Sequence, residues 1–156
     1  MKSLDVQLGT MVISQQDGDL VYKLERGGYC ITDRTISISV ETTAIAEEQF
    51  PDCALICLER HPLDLPLKAG DVFNWKGGMF GDLDSSLTKA HGYFTFHAEE
   101  ITVTWTVEAV EIEAIIFLLE ATHDDVDYYD ERAKRTPTRG RFRLTSKALE
   151  ELWIPG

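Results

Sequence analysis

Four histidines, three cysteines and 27 carboxylates supply every side-chain type that a divalent metal needs, so their spacing decides whether any can act together. His91, His97 and Glu99 share the parity of an extended strand, and His123 can join them from a neighbouring segment. Two histidines and a carboxylate on one side of a small β-barrel would hold a divalent ion with an open position, suited to Lewis-acid or water-activating chemistry. The tight His-x-His pair with a following Glu and Gly that marks the cupins is absent. Surface histidines and polar hairpin ends explain the same three positions without a metal, and they weigh more because most histidines ligate nothing. Cys53, Cys57 and His61 recur every four residues, which sets them on one face of any strand that spans all three. Their spacing matches no zinc motif, and free cysteines on an apolar strand are ordinarily core filling. No cofactor is expected, and a metal only under the enzyme reading.

The second cluster is acidic. Asp124, Asp125, Asp127, Tyr128, Tyr129 and Asp130 lie within one run, with spacing that fails the EF-hand pattern and no glycine for its sharp turn. Tyrosines among carboxylates have the mixed aromatic and charged character of a protein interface, so this run is the candidate partner-binding surface. Directly after it, Arg132, Lys134, Arg135, Arg139, Arg141, Arg143 and Lys147 occur with no acid among them. Residues 1–131 hold eight basic and 25 acidic residues, so the chain is a body of −17 joined to a segment of +7. The two runs are placed to pair across adjacent strands. A net charge of −12 opposes binding to a phosphate backbone, which makes nucleic acid an unlikely partner.

Nucleophilic and nucleotide chemistry find no support. The chain has no G-x-S-x-G elbow and no dinucleotide fingerprint, and Gly77-Gly78-Met79-Phe80-Gly81 lacks the Lys-Ser/Thr end of a phosphate loop.

The elements that must position these residues are strands. Ile36, Ile38 and Val40 alternate with Ser37, Ser39 and Glu41, and Ile101, Val103, Trp105 and Val107 alternate with Thr102, Thr104 and Thr106. Tyr93–His97 reads as a strand that forms a hairpin with the one after it through Ala98-Glu99. Asp17-Gly18 suits the turn of a first hairpin, and Gly27-Gly28 suits a second turn before Tyr29–Thr32. From Glu108 to Ala121 the alternation changes parity, so a β-bulge or a helix start is required, and Ile115, Ile116 and Phe117 favour strand. Phe142 and Leu144 alternate with Arg141 and Arg143 in a last strand, and Ser146 is placed to cap a short helix, Lys147–Leu152, with Trp153 docking its end.

At 156 residues with 44% apolar composition, residues 1–156 should fold as a single β-rich domain, an antiparallel sandwich or partly open barrel of about eight strands with a short C-terminal helix. MKSLDVQLGT interrupts any apolar core with Asp5, which argues against a signal peptide, and the run from Ala114 to Leu119 is too short to span a membrane. Three cysteines fit free thiols in the reducing cytoplasm better than a disulfide framework.

The leading expectation is a non-enzymatic acidic protein that binds a basic protein partner. Bacterial immunity proteins, which neutralise toxins, are similar in size and charge. Pairing with a second copy of the chain is a further option. The alternatives are a metal-dependent β-barrel enzyme using His91, His97 and Glu99, and a carbohydrate-binding sandwich using Trp75 and Tyr93 as stacking platforms.

Overall fold

In the computed structural model, residues 6–15, 18–46, 52–77, 85–91, 94–97, 101–124 and 135–152 are described. They form ten strands: β1 Thr10–Gln15, β2 Gly18–Thr32, β3 Thr35–Ala44, β4 Cys53–Pro62, β5 Val72–Gly77, β6 Ser85–His91, β7 Phe94–His97, β8 Ile101–Val110, β9 Ala114–Asp124 and β10 Arg135–Thr145. For β6 and β7 only the backbone is described. All pairings are antiparallel, in the order β5-β8-β9-β10-β1-β2-β3-β4-β6-β7. The two ends of this sheet meet where β5 and β8 approach β6, so the sheet curls into a nearly closed barrel. Of the two architectures the strand pattern allowed, the barrel is the one formed. Among the described residues no helix is long and apolar enough to cross a membrane.

The alternating residues divide as the period-two pattern requires. Ile101, Val103, Trp105 and Val107 of β8 and Phe117 and Leu119 of β9 fill the barrel with Phe142 and Leu144 of β10, all at 2% exposure or less. Met11, Ile13 and Tyr22 close the same core from β1 and β2. Phe142 folds back over Gly140, where an added Cβ would lie 2.6 Å from the ring. Glycine inside a strand here marks a close approach by a neighbouring group, and the aromatic ring fills the space a side chain would take.

Several local expectations change. Gly27 and Gly28 do not turn the chain; β2 runs straight through them. An added Cβ on Gly27 would sit 2.7 Å from the Ser39 carbonyl, and one on Gly28 would strike the Lys147 side chain. The missing side chains let the C-terminal segment cross the outer face of β2, where the Lys147 N–H donates to the Tyr29 carbonyl at 2.8 Å. At that crossing the outer face carries small residues, Gly28 beside Ser39 beside Cys57, and β3 is buried on both faces rather than half-buried. Ser146 forms a β-bridge to Tyr29 instead of capping a helix. The helical segment shrinks to one 3₁₀ turn, Leu149–Glu151, whose Glu151 carboxylate accepts from the Ala148 N–H at 3.0 Å.

The hairpin turn lies instead at Asp33-Arg34, both with positive φ, 48° and 65°. Two left-handed residues are what a two-residue hairpin needs to match strand twist, and Arg34 is a poor residue for that conformation. Arg34→Gly is expected to raise stability by roughly 0.5–1 kcal/mol, the relief of left-handed strain less the added freedom of the unfolded chain. Thermal unfolding checks it; an unchanged or lower midpoint would show that the Arg34 side chain contributes more than its backbone costs.

The β7–β8 hairpin also fails to form. β7 pairs with β6, whereas β8 pairs with β5 and β9, because the ten-strand order puts β5 between β8 and the seam. The parity change at Glu108 is a bulge: Val107 opposes Phe117 and Ala109 opposes Ile116, which leaves Glu108 as the extra residue. Residues 111–113 then turn the chain into β9, so the hard segment is strand, turn and strand.

Candidate functional site

A second bulge decides what the Cys53, Cys57 and His61 series becomes. Ile38 opposes Leu58 but Ile36 opposes His61, so Ser37 faces both Glu59 and Arg60. Arg60 takes φ 49°, and its N–H donates to the buried Ser37 hydroxyl at 2.9 Å. The extra residue swings His61 onto the inner face, while Cys53 and Cys57 remain on the outer face of β4. The three residues therefore do not share a face, and the period of four is broken by the bulge that the sequence pattern does not reveal. Cys57 is fully buried, and burial first, with nearby Asp52, pushes the Cys53 thiol above its ordinary range. None of the three cysteines forms a disulfide.

His61 meets two aromatic rings of β5. Its ring centroid lies 5.4 Å from Phe73 and 5.4 Å from Trp75. Its Nδ1 is 2.8 Å from the Pro62 carbonyl oxygen, and its Nε2 is 3.2 Å from the Asn74 carbonyl oxygen. Trp75 is half-buried, with its indole nitrogen enclosed. Tyr93, its partner under the carbohydrate reading, lies outside the described residues.

Of the metal candidates, His91 and His97 are described by their backbone alone. His91 pairs with Phe94 and Thr88 with His97, so the two histidine positions stand three rungs apart on the β6–β7 ribbon. An odd number of rungs puts the two positions on opposite faces, because the intervening turn reverses the parity that their numbers share. Glu99 lies outside the described residues. His123 is wholly buried in the barrel, with Nε2 2.7 Å from the Thr138 hydroxyl. Among the described residues no three His, Cys, Asp or Glu side chains converge on a metal position.

Asp125, Asp127, Tyr128, Tyr129 and Asp130 lie outside the described residues, and Asp124 ends β9 opposite Arg135. The basic segment is described from β10 onward. Arg141 forms a two-pronged ion pair with Glu108, and Arg143 Nε lies 2.7 Å from Glu111 Oε1. Glu108 is the bulge residue near the end of β8, and Glu111 opens the turn that follows. The hydrogen bond and charge of Glu108 hold the Arg141 guanidinium in its protonated form.

Those pairs brace a surface that the sequence reading missed. At the tip of the β8–β9 hairpin Ile112 is fully exposed, 101%, and Val110 beside it is 48% exposed. Glu111 and Glu113 flank Ile112, and with Arg143 they border an open groove of about 580 Å³. The Glu111 N–H donates to the Ala114 carbonyl at 2.8 Å and closes the turn. A β-branched apolar residue contributes nothing to such a turn, where polar and small residues are preferred. The signal was present as Glu-Ile-Glu, but it merges with the strand alternation on either side.

A second depression, of about 290 Å³, lies between Arg26, Ser39 and Glu41 of the sheet and Lys147 and Glu151 of the C-terminal segment. Arg26 and Glu41 fill its rim with paired contacts of 2.8 and 2.9 Å. No protein-family model, curated protein or solved structure matches the chain.

Proposed function

We propose that the protein is a non-enzymatic interaction protein that uses its acidic surface to bind a basic protein partner, in the manner of a toxin-neutralising immunity protein of the cytoplasm. The observation that carries this reading is Ile112, a fully exposed apolar side chain held between two carboxylates on a braced hairpin. An apolar anchor inside a charged rim is the arrangement in which a few residues supply most of the binding energy. The net charge of −12 supports fast, electrostatically steered encounter with a basic surface. Two described bases of the +7 segment, Arg141 and Arg143, are already neutralised by Glu108 and Glu111, which weakens any case for nucleic acid. The barrel interior is filled by Trp105, Phe117, Phe142 and Tyr22, so a surface reading needs less rearrangement than a ligand in the lumen.

The test is affinity capture followed by titration of the purified partner. A basic protein is expected, with association that slows steeply between 50 and 300 mM salt, as steering by exposed charge requires. Ile112→Asp is expected to weaken that complex by about 30-fold, the effect of losing a central anchor. A partner bound with no dependence on salt, or no partner, would overturn the reading.

A further inference from the structure

We infer that the end of the barrel tipped by Ile112 is a self-docking surface. Two copies of the chain meet there about a two-fold axis, each setting Ile112 against the other's hairpin and Glu113 against the other's Arg143. The pairing stands apart from the proposed function; only its consequence, that a dimer hides Ile112 from a basic partner, rests on that reading.

The strand directions collect apolar surface at this end. Because every pairing is antiparallel, β8 finishes and β9 starts there, together with the end of β4 and the starts of β5 and β1. Of the six large apolar side chains exposed among the described residues, five belong to these termini and their connections: Leu8, Leu65, Val72, Val110 and Ile112. Ile45 lies at the other end. Val110 and Ile112 stand beyond Thr106, the last β8 residue that pairs with β5, so the hairpin projects past the sheet on that side. A stable interface buries about 800 Å² on each partner, more than a hairpin tip alone offers, and Leu65 and Val72 extend the apolar surface of this end beyond the tip.

Charge decides the occupant. The chain carries −12, so two copies repel each other over most of their surface. Around the tip Glu108, Glu111 and Glu113 are set against Arg141 and Arg143, a net of −1, and like-charge repulsion is weakest there. Glu108 is taken by Arg141, and Glu111 by the Arg143 Nε. Among the described residues Glu113 has no ion pair, and Arg143 spends one of its five N–H donors on a side chain. Both border the groove beside Ile112. An open acid and an open base around one apolar side chain are complementary to a rotated copy of the same surface, as a two-fold contact requires. A uniformly basic surface satisfies Glu113 alone, whereas a second copy satisfies Arg143 as well.

The experiment is sedimentation velocity of the full chain, without any partner, over roughly 1–500 µM. A monomer–dimer equilibrium is expected, with a dissociation constant of about 10–100 µM, weak enough for a tighter partner to displace. Ile112→Asp should weaken it about 100-fold, because a two-fold contact loses the anchor twice. Glu113→Arg and Arg143→Glu should each be monomeric alone, since each sets like charges across the axis. An equimolar mixture of the two should form a one-to-one dimer, a recovery that loss of structure in either variant cannot produce. A wild-type chain that stays monomeric, an Ile112→Asp dimer as strong as the wild type, or a mixture that stays monomeric would each defeat the inference. If the wild type is monomeric while Ile112→Asp still weakens capture of a basic protein, that partner is the occupant and the proposed function stands without the dimer. A wild-type dimer that follows the charge swap supports the inference even where no partner is captured.

Discussion

Trp105→Ala is expected to lower stability by about 3–5 kcal/mol, the usual cost of removing a large aromatic from a packed core. Trp105 is fully buried in the middle of the barrel, level with Phe73 on β5 and Leu119 on β9. Its ring stands 6.1 Å from Phe117 in an edge-to-face contact and 6.5 Å from Phe142 in a tilted one. Three strands are therefore tied through one side chain, and the cavity left by alanine cannot be filled without moving β10. For a chain of this length the melting temperature should drop by roughly 10 °C or more. Trp105→Phe gives the more informative comparison. Among the described residues the buried indole N–H has no hydrogen-bond partner, so phenylalanine loses ring volume but also removes an unsatisfied donor. It should cost less than half of what alanine costs, read by denaturant and thermal unfolding. A phenylalanine variant as weak as the alanine one would mean that the N–H is satisfied.

Gly27→Ala is expected to cost about 2–3 kcal/mol, and Gly28→Ala about 1 kcal/mol, although the two glycines are adjacent and their Cβ positions are both crowded. The difference lies in what each new methyl would meet. At Gly27 it is the Ser39 carbonyl oxygen, 2.7 Å away, which belongs to the backbone of β3 and can yield only if β2 and β3 separate. At Gly28 it is the exposed Lys147 side chain, which can swing into solvent, and then the Thr145 carbonyl at 3.1 Å, which needs a small shift. Unfolding midpoints of the two single variants check the order. The reverse order would show that the segment from Thr145 to Lys147 is held more rigidly than the β2–β3 pair.

The same glycines show why parts of the fold were illegible. In sequence, Gly27-Gly28 has the composition of a turn, and nothing local separates a turn from a strand whose neighbours come too close for a side chain. Asp33-Arg34, which does turn, lacks the glycine that marks most such hairpins. His61 failed for a related reason. A four-residue period holds only along an uninterrupted strand, and the bulge beside it is stabilised by Ser37, 23 residues earlier. The candidate site shares this limit. Glu108 and Arg141 are 33 positions apart and meet only because the Glu108 bulge projects a carboxylate toward β10. Ile112 continues the alternation of the flanking strands, so nothing local marks it as the tip of a turn.

By itself the sequence determined the chemical character of the elements: strands rather than helices, an inward face of Ile101, Val103, Trp105 and Val107, an outward face of threonines, and an acidic balance. Those properties are local, because side-chain parity and β-branching act within a few residues. Tertiary structure decided everything that depends on which strand lies beside which: the ten-strand order, the pairing of β7 with β6 instead of β8, the C-terminal crossing over Gly28, and the seam at His61. Strand order is set by contacts between distant segments competing to bury the same faces, and no single stretch of sequence contains both competitors.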